Sequence, residues 1–112
     1  MKTLSVRFKE MPGEEIVVRL SPVPTVDLLN IAELIAKLRL SRQSVRAMAT
    51  AFAPYVVSWS YPEPVGVDGL LARDFNVLYA TVNAWIGGVR DAPRPLPLRS
   101  SDGEPSEAPL AS

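Results

Sequence analysis

The first twenty residues alternate, and that alternation limits the folds open to the chain more than any other feature. Leu4, Val6 and Phe8 fall on one side and Thr3, Ser5, Arg7 and Lys9 on the other, the period of a half-buried strand. Ile16, Val18 and Leu20 make a second such run, with Glu15 and Arg19 opposite. Between them, Met11-Pro12-Gly13-Glu14 is a turn signal. Pairing Phe8 with Ile16, Val6 with Val18 and Leu4 with Leu20 puts all the apolar side chains on one face and sets Lys9 opposite Glu15. That parity requires an odd-length loop, and a five-residue loop over 10–14 suits Pro12 best. A lone hairpin is not stable in water, so the rest of the chain must cover its apolar face.

From residue 25 onward the pattern is helical. Pro22 and Pro24 end the sheet, and Thr25 is placed to cap a helix over 26–38, with Asp27 in its first turn, where negative charge is favoured. Leu28, Ile31, Ile35 and Leu38 form its apolar stripe, broadened by Leu34 and Ala32. Ser41 caps a second helix over 42–58, with Val45, Met48 and Phe52 inward; Pro54 ends or kinks it, and 55–58 read as its last turn. Residues 59–66 read as an extended loop. A short helix over 67–72 leads to Asp74, which caps a long helix over 75–89. There Leu71, Phe75, Leu78, Val82, Trp85 and Val89 share one stripe, Tyr79 and Ile86 broaden its shoulder, and Gly87 and Gly88 weaken the end.

After Asp91 the character changes. Residues 92–112 hold five of the eleven prolines and almost no large apolar groups, which favours an extended segment and then disorder. The expected fold is α+β: one globular domain over 1–91, with an N-terminal β-hairpin (2–20) packed on a bundle of three to four helices. A disordered Pro-rich C-terminal segment, 92–112, completes the chain.

Chemistry is scarce. With neither cysteine nor histidine, the chain has no disulfide, no thiolate nucleophile and none of the commonest general base or metal ligand. The carboxylates Glu14, Glu15, Asp27, Glu33, Asp68 and Asp74 read as solvated or capping groups rather than acid–base pairs. Gly66-Val67-Asp68-Gly69 lacks the lysine and preceding strand of a phosphate loop. No catalysis, cofactor or metal is expected. Twelve basic residues balance twelve acidic ones, so the net field of a nucleic-acid binder is missing. The local cluster of Lys37, Arg39, Arg42 and Arg46 reads as a solvated surface. No apolar run has the length of a secretion signal or a membrane span, so a soluble, unexported protein is expected.

That leaves the aromatic residues. Trp and Tyr are enriched at protein–protein hot spots, and Trp59 and Tyr61, in a loop between helices, are the leading candidates, with Tyr55 and Tyr79 beside them. Trp85 falls on the apolar stripe and belongs to the core. The Pro-Arg-Pro-Leu-Pro-Leu run adds Arg94, Leu96 and Leu98 as a docking peptide, since extended proline segments bind at low ordering cost.

Over 52–89 an apolar helix leads into Val57-Ser58-Trp59, followed by the loop Tyr61-Pro62-Glu63-Pro64-Val65-Gly66, a short Asp68-Gly69-Leu70-Leu71 helix and a helix reaching Trp85. In this order of elements the stretch resembles tail assembly chaperones of long-tailed bacteriophages (siphophages). The resemblance implies a non-enzymatic factor of the host cytoplasm, absent from the mature virion, that binds the tape measure protein and recruits tail tube protein subunits, with self-association open. From the balanced charge and the lack of a long apolar run, no nucleic-acid or membrane partner is expected. Two other readings stay open: a structural virion component of the neck or tail, and a small regulator using 41–53 as a nucleic-acid recognition helix.

Overall fold

A computed structural model describes residues 1–91. The elements are β1 (Lys2–Arg7), β2 (Glu15–Ser21), α1 (Thr25–Ala36), α2 (Arg42–Phe52), a 3-10 turn (Ala53–Tyr55), β3 (Val56–Trp59), α3 (Val67–Leu71) and α4 (Phe75–Asp91). The α+β class holds, with one strand more than the hairpin: the sheet is three-stranded and antiparallel, in the order β1-β2-β3.

The hairpin keeps its expected parity but slips by two residues. Val6 pairs with Ile16, Leu4 with Val18 and Arg7 with Glu15, and Leu20 is left unpaired between Thr3↔Arg19 and Lys2↔Ser21. Two consecutive turns explain the longer loop over 8–14. Met11 N–H donates to the Phe8 carbonyl at 3.2 Å and Glu14 N–H to the Met11 carbonyl at 3.1 Å. In the second turn Pro12 precedes Gly13 at φ 88°, the arrangement of a type II turn. Phe8 therefore leaves the ladder and packs half-buried at its end. Arg7, rather than Lys9, meets Glu15, at 3.2 Å. The Ser5 hydroxyl and then Arg7 hold the Glu15 carboxyl below its ordinary value. The Ser21–Pro22 peptide is cis.

Residues 56–58, expected as the last turn of a helix, and Trp59, expected in the loop that follows, form β3. Pro54 sits in the 3-10 turn and withholds a backbone donor, and the β-branched Val56 and Val57 then favour extended chain. The strand supplies β2 with its second neighbour, pairing Trp59 with Ile16 and Val56 with Val18. Val56 is buried and Val57 exposed, the period-2 signature that the short segment conceals among helices.

Helix ends follow local chemistry. The Ser41 side chain accepts from Ser44 N–H at 3.2 Å, and Asp74 accepts from Asn76 N–H at 3.0 Å. Thr25 is not a cap: Pro24 holds that position, without a side-chain bond, and α1 ends at Ala36, short of Leu38. α4 packs on β1 and β2, α1 on α2 and α4, and α3 against α2 and α4. One core results, with Val6, Ile16 and Val18 from the sheet and Ile31, Met48, Phe52, Leu70, Val82 and Trp85 from the helices. Thr81 is fully buried, its hydroxyl donating to the Val77 carbonyl at 2.6 Å.

α4 runs through Gly87 and Gly88 to Asp91. A Cβ at Gly88 would stand 2.8 Å from Leu20 Cδ2, so this glycine lets the helix lie close on the hairpin. A Cβ at Gly87 would meet nothing within 4 Å. Gly87→Ala is therefore expected to stabilise the domain by about 0.5–1 kcal/mol, read as a raised urea midpoint. At Gly88 the same change should gain less, because the Leu20 side chain must move.

Candidate functional site

Of the aromatic candidates, Tyr55 belongs to the core. It is 3% exposed, its ring lies 5.0 Å from that of Trp85, and its hydroxyl donates to the Asp27 carboxylate. The Arg19 guanidinium stands 4.9 Å from the ring centroid. Burial, then Asp27, pushes the Tyr55 hydroxyl above its ordinary pKa. Tyr55 and its acceptor Asp27 thus serve the packing of α1 on the 3-10 turn, and they edge a shallow hollow of about 140 Å³.

Trp59 and Tyr61 do come together, edge to face at 5.6 Å, but they are half-buried and serve the loop that carries them. Trp59 Nε1 donates to the Glu63 carbonyl at 2.7 Å, and its ring lies over Gly69. Arg73 closes the cluster. Its guanidinium sits 3.9 Å from the Tyr61 ring centroid, pairs with Glu63 at 2.8 Å and donates from Nε to the Gly69 carbonyl at 3.0 Å. Only 11% of the Arg73 side chain remains exposed. Spacing alone does not single out Arg73, because its partners come from a loop that the sequence pattern leaves unplaced.

The Tyr61 hydroxyl is buried without a hydrogen bond of ordinary geometry. Burial, then the nearby Glu14 carboxylate, pushes its pKa up to about 12, from 10.0. The folded state thus holds this proton where the unfolded chain has lost it. Stability contributed here is complete below pH 10 and is lost as pH rises towards about 12. Urea midpoints should fall across that window, and less steeply for Tyr61→Phe; Tyr55, shifted the same way, leaves a residual slope.

Among the described residues, exposed apolar groups include two surfaces beside the candidates. Tyr79 is 42% exposed and stacks on Phe75, 38% exposed, with ring centroids 5.8 Å apart. Phe75 was expected on the core stripe; Val77 and Thr81 take that side of α4 instead. The second surface is a groove of about 600 Å³ between the start of α2 and α3, lined by Leu40, Ser41, Arg42, Val45, Arg46 and Leu71. Leu40 and Val45 hold the two positions that flank a Ser cap as a hydrophobic staple, yet Leu40 stays 85% exposed. An apolar residue directly before a helix cap was the available signal for this groove. Arg94, Leu96 and Leu98, and the expected disorder of 92–112, lie outside the described residues.

Among the described residues no group of three or more His, Cys, Asp or Glu side chains is placed to hold a metal ion. No helix among them is long and apolar enough to cross a membrane. Comparison with family models, curated proteins and solved structures returned no match.

Proposed function

We propose that the domain is a tail assembly chaperone of a long-tailed bacteriophage, a non-catalytic protein of the host cytoplasm that binds the tape measure protein and recruits tail tube subunits. One observation carries the reading: the separated parts of the resembling stretch form a single packed unit. Trp59 of the Val57-Ser58-Trp59 element lies over Gly69 of the Gly69-Leu70-Leu71 element, at a distance that leaves no room for a Cβ. Trp85 of the last helix then fastens that unit to the sheet through its bond to the Arg19 carbonyl, 2.7 Å. These contacts between its parts support reading the motif as one unit.

Co-expression with the adjacent tape measure and tail tube proteins, followed by affinity capture through this chain, tests the reading. Retention of a soluble tape measure protein is the expected result. Failure to retain either protein, with assembly of this chain into rings on its own, would transfer the reading to a structural neck or tail component.

A further inference from the structure

The groove between α2 and α3 combines an apolar floor with unneutralised positive charge. Leu40, Val45 and Leu71 supply the floor, and Arg42 and Arg46 stand on its rim one helical turn apart, a rise of about 6 Å. Neither Arg39 nor Arg42 has a carboxylate partner among the described residues. Arg46 reaches Asp68 at 3.6 Å, an open pair with both side chains more than half exposed. Beyond Arg46 a second hollow of about 440 Å³ continues, bordered by Pro64, Val65 and Val67. Arg46 thus lines both hollows; the first carries Arg42 and no carboxylate, and the second carries Glu63 and Asp68.

Resting on the partner-binding reading above, we infer that this groove seats an acidic amphipathic helix of a protein client. Carboxylates four residues apart on that helix match Arg42 and Arg46, and large apolar side chains on the same face pack on Leu40, Val45 and Leu71. A nucleic-acid strand fits less well. The floor offers aliphatic side chains where bases would need aromatic platforms. Asp68 occupies Arg46 as a client carboxylate would, so it competes with the client.

The test uses the full chain and a labelled designed helix of roughly 14 residues, with a leucine stripe and glutamates four apart, followed by fluorescence anisotropy. A matched helix carrying lysine for glutamate and a DNA duplex serve as comparators. Arg42→Glu should weaken binding of the glutamate helix by about fivefold or more, with the effect shrinking in high salt. Asp68→Asn should tighten it by about two- to fivefold. Leu40→Ser, at an 85% exposed position that leaves the fold alone, should weaken binding as well. Equal affinity for the lysine helix, tighter binding of duplex DNA, or indifference to Arg42→Glu and Leu40→Ser would overturn the inference. Capture of the tape measure protein separates the two proposals. If the Arg42→Glu chain retains it as well as the unmodified chain does, the groove assignment fails and the chaperone reading stands. If the unmodified chain retains none, the chaperone reading fails while the peptide titration still decides the groove.

Discussion

Replacing Trp85 with alanine is expected to remove about 4 kcal/mol of stability, from the roughly 5–15 kcal/mol that a domain of this kind has in all. Trp85 is fully buried, edge-on to Phe52 at 5.5 Å and 5.0 Å from Tyr55, so its loss opens a cavity bordered by two further rings. It also strands a polar group, since Nε1 donates to the Arg19 carbonyl at 2.7 Å. Trp85→Phe separates the two effects. It retains much of the packing and leaves that carbonyl without its donor, at a cost of about 1–3 kcal/mol. Urea unfolding followed by circular dichroism reads both. A loss below about 1 kcal/mol for the alanine variant would mean that α4 does not pack on the sheet through this residue.

Gly69→Ala should also be damaging, although it adds only a methyl group. Its Cβ would lie 2.5 Å from Trp59 Cζ2 and 2.8 Å from the Pro64 carbonyl oxygen. The tryptophan is tethered by its bond to the Glu63 carbonyl and flanked by Tyr61, and Pro64 O is backbone, so neither retreats cheaply. Overpacking of this kind costs about 1–3 kcal/mol, occasionally more, and the roughly 1 kcal/mol gained from replacing a helical glycine offsets part of it. A net loss of about 2 kcal/mol is expected, or a fall in Tm of roughly 10 °C. Combining Gly69→Ala with Trp59→Leu should cost less than the sum of the two, because the smaller side chain vacates the contested space. Strict additivity would show that the two elements do not touch, and would remove the packing argument for the proposed function.

How far the sequence reached differs from element to element. Parity of the hairpin was legible because the side-chain period of two and the need to bury one face leave a single choice. Register was not, since a slip of two residues preserves that parity, and the turn bonds at Phe8, Met11 and Glu14 decide between the alternatives. β3 was missed for a related reason. Four residues after a proline carry too little period to separate a helical turn from a strand, and the free edge of β2 settles the matter. For the candidate site, Tyr79, read as a shoulder of the α4 stripe and named as a candidate for its aromatic ring, is exposed, and so is Phe75 on the stripe itself. Tyr55 was drawn inward by Asp27 and Trp85, partners 28 and 30 positions away along the chain.

The sequence by itself determined the α+β class, the apolar faces of the hairpin, α1 and α2, and the caps at Ser41 and Asp74, because these depend on neighbours within about one turn of helix or one strand pair. Tertiary structure alone decided the third strand, the clamp of Arg73 on Trp59 and Tyr61, and the open groove at Leu40. Each of those joins residues distant along the chain, and their energies come from burial and desolvation that exist only once the elements have packed.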